Sequence, residues 1–510
     1  MEENGDPFIL VVAGTDHHPF DRLVDWTERW LALCEHLVSC LIQGGTSRRP
    51  QRAQWVDYLP YSEMERAVRA ATAVVSHGGP GTIMLALHFG KKPIVVPRQQ
   101  PLGEHVDDHQ TAFARRLSAE GEIDLAETEE LFRHFLDTAI AHGRRAEHIP
   151  RPRETGATVR RFAEFFDEMM ASADAEADRR PAGGPRPILV TGIPRSGTSW
   201  VGTILDASGR VVYINEPLNP RRPPGRSPGI LAAPVHHRFQ YITDENDSAF
   251  LQPFREMLAF DYHVVAELKA SRSAFDLLRL GKYWNSFLRG RLRRRRPLID
   301  DPYAVFSVEW FSETLRCDAV VLVRHPAASV SSRKRLGYKT DLAELLHQPL
   351  LLRDWLEPFR PEMEAALRHP GDMIWQGSLL WKMAYHVVAE LNRRLQGVHV
   401  VRYEDLSAEP PAAFHRLFDL VDLPFTDAVS GRVREASGAR RRRTSRPGDR
   451  DRGHSWSLSR HGLSRTAFRP LDSRAHAARW KRELSQREIS RIRALTEDVA
   501  ALYYTEEDWR

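Results

Sequence analysis

Ten residues, Thr191 to Trp200 (TGIPRSGTSW), constrain this chain more than any other stretch. They follow Pro187-Ile188-Leu189-Val190, a short apolar run that reads as a buried strand. They precede Val201-Gly202-Thr203-Ile204-Leu205, which reads as a helix. A strand, a small polar loop and a helix start make an anion cradle. Gly192 and Gly197 allow a tight turn, and the helix N-terminus aims free N–H groups at the ligand. Ser196, Thr198 and Ser199 add hydroxyl donors, and Arg195 adds a fixed cation. An ordinary glycine turn before a helix would need none of these extra features.

The Gly192-to-Gly197 spacing satisfies the first part of a Walker loop, but Thr198 stands where the Walker lysine belongs. The cation lies inside the loop instead, at Arg195. This pattern resembles the phosphosulfate-binding loop of sulfotransferases that use 3′-phosphoadenosine-5′-phosphosulfate (PAPS). The resemblance implies donor binding by Pro194, Arg195, Ser196, Gly197, Thr198 and Ser199.

A chain of 510 residues has room for several domains with sizeable cores. Its 42% hydrophobic and 28% charged residues suit a globular protein, and no run reaches the roughly 20 apolar residues of a membrane span. The start, MEENGDPFILVV, lacks the basic region and cleavage site of a secretory signal. Cys34, Cys40 and Cys317 are scattered without metal-ligand spacing, which suits a reducing compartment. A cytoplasmic protein is expected. The net charge of +5 does not mark a nucleic-acid binder. Two dense runs, Arg291 to Arg296 and Arg440 to Arg443, read either as solvated faces or as attractors for an anionic ligand.

The first ~170 residues alternate strand and helix signals. Strands are expected at Phe8–Val12, Leu37–Ile42, Ala73–Ser76 and Pro93–Val96. Helices are expected over Phe20–Leu33, Ser62–Ala71, Gly81–Phe89, Val106–Leu117 and Asp137–Met170. Repeated βα units imply a parallel sheet, with ligands at the carboxyl ends of its strands. There, His77-Gly78-Gly79-Pro80-Gly81-Thr82 forms a second glycine-rich turn suited to a diphosphate, and Glu104 to Gln110 is a polar cluster entering the next helix.

SHGGPGT, then PIVVPR, then EHVDDHQ resemble the C-terminal, nucleotide-sugar-binding half of glycosyltransferase family 28 enzymes of the GT-B type. Gly14 to Phe20 adds to the likeness, which spans roughly residues 7 to 145. It implies UDP-sugar binding by His77, Gly78, Gly79, Gly81, Thr82, Glu104 and Gln110. In complete enzymes an acceptor half precedes this domain; by resemblance to split members of the family, it is expected here as a separate subunit, often membrane-associated. A non-catalytic docking module is the other reading. His17 and His18 lack matching ligands, so no metal is expected.

The composition shifts abruptly after Met170, through ASADAEADRRPAGGPRP. The expected architecture is α/β with two domains: a Rossmann-like GT-B half over 1–172, a linker at 173–186, and a P-loop-type sulfotransferase domain with a parallel sheet over 187–510. In the second, Val211–Ile214 reads as a strand ending at Glu216, a residue well placed to face the loop. By resemblance to carbohydrate sulfotransferases, Glu216 is the candidate general base, with a turn-capping role as the alternative. His236, His237 and His263 stand behind it as candidates.

Ala319–Val323 is a strand running into Arg324-His325-Pro326 and a helix carrying Ser332. Arg324 and Ser332 resemble the residues that hold the 3′-phosphate of PAPS. Val400–Leu406 ends in an RYEDL box read as structural, and Trp480–Leu484 matches the family's C-terminal helix. The basic loop from Gly438 to Arg469 is placed over the nucleotide. Together these imply sulfuryl transfer from PAPS to a hydroxyl of a carbohydrate or glycoconjugate. Transition-state charge would fall to Arg195 and the loop N–H groups, without a metal. An ATP-dependent P-loop kinase is the rival. The missing Walker lysine and the want of an obvious strand-end aspartate for Mg²⁺ both speak against it.

Overall fold

The computed structural model describes residues 6–14, 18–59, 61–104, 109–143, 185–221, 223, 225–271, 274–338, 340, 342–438 and 473–510. Thr15 to His17, the centre of the 104–110 cluster, linker residues 173–184, and the basic segment 439–472 with Arg440 to Arg443 lie outside them, as does the expected helix beyond residue 143. The chain falls into two compact units, Met1–Met170 with Val264–Ser286, and Ala171–His263 with Phe287–Arg510.

The sheet of the first unit holds β1 (Phe8–Val12), β2 (Ser39–Gln43), β3 (Gln54–Val56), β4 (Ala73–His77), β5 (Ile94–Val96) and β6 (Asp124–Leu125). Their order is β3-β2-β1-β4-β5-β6 and every pairing is parallel. The short strands β3 and β6 carry too little apolar periodicity to be read from sequence.

Alternation along β1 explains why both faces are covered. Ile9 and Val11 pack with Trp26, Trp30 and Phe132 on one side, while Leu10 and Val12 pack with Val68 and Leu85 on the other. The order reverses between β1 and β4, so the loops after these strands border the crevice where such sheets take ligands.

The second sheet contains β7 (Ile188–Thr191), β8 (Val211–Asn215), β9 (Arg296–Asp300), β10 (Asp318–Val323) and β11 (Val398–Arg402). It is again all parallel, in the order β11-β10-β7-β9-β8. The reversal falls between β7 and β10, and β7 leads into the Gly192–Gly197 loop. Register sets Val190 beside Asp300 and Val321 beside Thr191, so the functional loops leave one edge of the sheet together.

Strand β9 departs from the sequence expectation. Arg296, the last residue of the 291–296 run, is buried as the first strand residue. Its guanidinium bonds Arg186 O, Val421 O and the Asp318 carboxylate. A buried arginine is tolerable when each fork is satisfied in this way. The run is therefore partly interior.

Candidate functional site

In the second unit the loop after β7 depends on two glycines. Gly192 has φ +141°, and a Cβ there would lie 2.4 Å from the Leu322 carbonyl oxygen. Gly197 has φ +108°, and a Cβ there would lie 2.7 Å from the Tyr403 ring. Gly197 then caps the helix Thr198–Asp206, whose first amides face the loop. Arg195, with no such freedom, still takes φ +84°. Non-glycine residues held in that region cluster at ligand sites.

The strain is fixed from outside. Arg324, directly after β10, donates from Nη1 to the Arg195 carbonyl at 3.0 Å. The Arg195 side chain donates from Nε to Ser332 Oγ at 3.3 Å. Arg195, Arg324 and Ser332, which belong to separate motifs, therefore meet. Neither guanidinium has a carboxylate partner among the described residues. The Arg195 side chain is held below the ordinary arginine range by burial, then by repulsion from Arg324 and Arg335.

Two contributors escaped the sequence reading. His476 takes Nη2 of Arg324 at its Nδ1 (3.2 Å) and its carbonyl (3.1 Å). Burial and the surrounding arginines lower the imidazole to about 4, so it stays neutral and able to accept. Tyr403 lies under the Arg324 guanidinium, 4.6 Å from ring centre to Cζ. Only long-range folding brings either of them to β10.

The Arg324-His325-Pro326 corner is clamped by the C-terminal segment. The His325 ring stacks on Trp480 at 4.7 Å with 7° between planes. Trp509 and Tyr504 meet it edge-on at 4.4 and 4.9 Å. Burial pushes this imidazole down to about 3, so it is a neutral packing element. Glu404 of the RYEDL box accepts from His325 N at 3.1 Å and from the Tyr504 hydroxyl at 3.0 Å, a structural part.

Glu216 follows β8 with φ +52°. Its amide donates to Asp300 O at 2.7 Å, and its Oε2 accepts from Asn219 Nδ2 at 2.6 Å. The carboxylate is half-buried and oriented rather than free. His236 and His237 contact Gln240 through their backbone amides, and His263 pairs with Glu256 at 3.0 Å.

Strand-end aspartates are present, contrary to the sequence expectation. Asp300 and Asp301 stand at the end of β9, beside the loop strand, hidden in the sequence behind the arginine run. Both are fully buried. Asp300 accepts from the Tyr213 hydroxyl and is pushed up to about 7 by burial, with Glu216 adding to the rise. Asp301 accepts from the Leu218 and Tyr303 amides and is pushed well above the carboxylate range by burial. Against a kinase, the absent lysine alone remains. Among the described residues no group of three or more His, Cys, Asp or Glu is arranged to hold a metal ion.

In the first unit the turn after β4 is packed tightly. The His77 ring fills the space at Gly14 and Gly79, where a Cβ would lie 2.8 and 2.2 Å from Nε2. Gly78 lies against Gln110, whose Oε1 is buried. Thr82 is buried in the first turn of the helix Pro80–His88. Glu104 is already held in place: Arg22 grips both its oxygens at 2.8 Å, and the Gln99 amide donates to it at 3.0 Å. Arg98, buried, ties Ala13 O, His18 O and Glu104 O together.

Gly81 meets the segment 264–286, which the sequence reading left within an uninterrupted 187–510. A Cβ on Gly281, in the helix Ala274–Leu292, would lie 2.5 Å from Gly81 N. Trp284 packs on Phe113 with ring centres 5.9 Å apart. The Gly81 amide, a natural phosphate donor, is thus covered by this helix.

Comparison with known proteins finds two family matches along the chain. Residues 8–167 match the glycosyltransferase family 28 C-terminal domain, and residues 187–427 match the sulfotransferase family. The chain fuses these two domains. No curated protein matches it. Solved structures similar to it include the sulfotransferase domain from the Synechococcus PCC 7002 olefin synthase, at 17% identity and TM-score 0.31. That match covers 63% of this chain and 98% of the other. The sulfotransferase domain from the curacin biosynthetic pathway has 16% identity and TM-score 0.33, over 63% and 98%. Sulfotransferase STF9 from Mycobacterium avium has 15% identity and TM-score 0.30, over 73% and 86%. Likenesses this distant say nothing of substrate. Among the described residues of the fusion, no helix is long and apolar enough to cross a membrane.

Proposed function

We propose that the sulfotransferase domain moves a sulfuryl group from PAPS to a hydroxyl of a carbohydrate or glycoconjugate, in the cytoplasm. The observation that carries this is the meeting of Arg195, Arg324 and Ser332, two guanidiniums without a carboxylate partner among the described residues and one hydroxyl, around a strained loop. Such a cluster fits a ligand with two separate anionic groups. PAPS supplies an activated sulfuryl group beside a 3′-phosphate.

Arg195 and the loop amides stabilise charge on the departing bisphosphate. Arg324 and Ser332 hold the 3′-phosphate, with neutral His476 fixing the Arg324 fork. Glu216, oriented by Asn219, takes the acceptor proton. The full chain is expected to bind adenosine 3′,5′-bisphosphate at least about tenfold more tightly than adenosine 5′-phosphate, the scale of a charge-assisted pair. Calorimetric titration measures both, and equal affinities would remove Arg324 and Ser332 from the phosphate site.

For the glycosyltransferase domain two readings stand. In one it binds a UDP-sugar and completes a transferase with a separate acceptor-half subunit. In the other it is a non-catalytic docking module. The contact of Gly281 with Gly81 favours the second, because it covers the amide that a diphosphate needs. Gly281→Ala forces the helix off backbone atoms that cannot yield. Under the first reading, UDP affinity of the full chain rises several-fold in this variant. Absence of UDP binding by both proteins supports docking.

A further inference from the structure

The sulfotransferase domain contains a buried cation that the donor site does not use. Arg333 follows Ser332 on the helix Pro326–Arg335 and is 3% exposed. Its Nη2 donates to Thr340 Oγ1 at 2.6 Å. Its Nε and Nη1 are buried without a hydrogen-bond partner, and no carboxylate pairs with it among the described residues. Burial lowers the guanidinium to about 10, which leaves it charged at neutral pH. A buried charge with open donors is costly unless something anionic joins it.

The surroundings indicate where that partner sits. Arg333 lines a small recess with Pro194 of the donor loop, Arg238, Phe239, Tyr303 and Tyr338. The recess lining holds two cations and no acid, and its walls are aromatic. The Tyr303 and Tyr338 hydroxyls are 3.4 Å apart, and Phe239 meets Tyr303 edge-on at 5.4 Å. Glu216 is near enough for its charge to raise the Tyr303 phenol, after burial and Tyr338. Pro194 is adjacent to Arg195. The recess thus adjoins the loop that carries Arg195, and the charge of the candidate base is felt at one of its walls.

We propose that this recess is an acceptor subsite that takes an anionic group, a carboxylate or a phosphate, carried on the ring of the accepting sugar. The anion takes the open Nε and Nη1 of Arg333, with Arg238 completing the field. The ring stacks on the tyrosines, and a neighbouring hydroxyl reaches Glu216. This assignment of the ligand as acceptor rests on the sulfotransferase reading; the anion preference itself does not.

The test uses the full chain without nucleotide, titrated by NMR with glucuronate, glucose 6-phosphate and glucose. At least one charged sugar is expected to bind about tenfold or more tightly than glucose. A lead for glucuronate identifies a carboxylate, and a lead for glucose 6-phosphate a phosphate. Arg333→Gln should abolish the preference, and Arg333→Lys should keep part of it. Thermal unfolding and adenosine 3′,5′-bisphosphate affinity verify that each variant is folded. If Arg333→Gln does not fold, Arg238→Gln, a half-buried change, should still weaken the preference several-fold. Equal binding of all three sugars, or a preference unchanged in the folded variants, overturns the proposal. A wild-type chain that prefers charged sugars but binds no bisphosphate overturns the sulfotransferase reading and leaves the anion site standing.

Discussion

Replacing Arg195 by alanine is expected to lower sulfuryl-transfer turnover by roughly 10²–10³-fold, the effect of removing one preorganised donor from a developing anion. Arg195 holds an unfavourable backbone angle, and burial and two neighbouring arginines depress its side chain. A bound anion relieves that repulsion. The loss should appear in kcat more than in KM, because the charge on the departing group grows only towards the transition state. Steady-state rates with glucuronate and with 4-nitrophenol as acceptors measure it. A similar fold-loss with both is expected, since the cation acts on the leaving side. A variant with unchanged kcat would place Arg195 outside the charge-stabilising set.

Glu216→Gln should cost about 10²–10⁴-fold with a sugar hydroxyl, the usual range for a lost general base. Glutamine preserves the shape and can still meet Asn219. The contrast with Arg195→Ala lies in the acceptor. A phenol surrenders its proton more readily than an alcohol, so 4-nitrophenol should restore much of the Glu216→Gln rate and little of the Arg195→Ala rate. Near-normal turnover of the sugar by Glu216→Gln would make Glu216 a strand-end residue. Asp300, under the same strand ends and pushed up to about 7, would then be the next carboxylate to test.

What the sequence disclosed and what it withheld divide along a physical line. Strands β7 and β10 are apolar runs that open directly into Thr191-Gly192 and Arg324, so both halves of the cluster of Arg195, Arg324 and Ser332 could be read locally. Strand β9 could not. It begins with an arginine whose burial depends on Asp318, Arg186 O and Val421 O, groups remote in the chain. With β9 unseen, Asp300 and Asp301 went unseen too.

The Arg333 recess gathers residues from the donor loop, from 238–239, from the turn after β9 and from the helix after β10. No spacing rule links those segments. In the first unit, the motif around Gly78 was plain, but the partner that covers Gly81 is Gly281, in a helix far along the chain. Glu104 was legible as a polar residue near the crevice, while its grip by Arg22 was a matter of tertiary packing.

The aromatic clamp on His325 makes one corner of the site depend on residues remote in the chain. Arg324 is fixed by His476, and the corner that carries it is held by Trp480, Tyr504 and Trp509. Arg324 and His476 are 152 positions apart, so their contact closes a long loop whose entropy cost the packed rings must offset. A ring removed from the clamp therefore loosens Arg324 without touching any ligand.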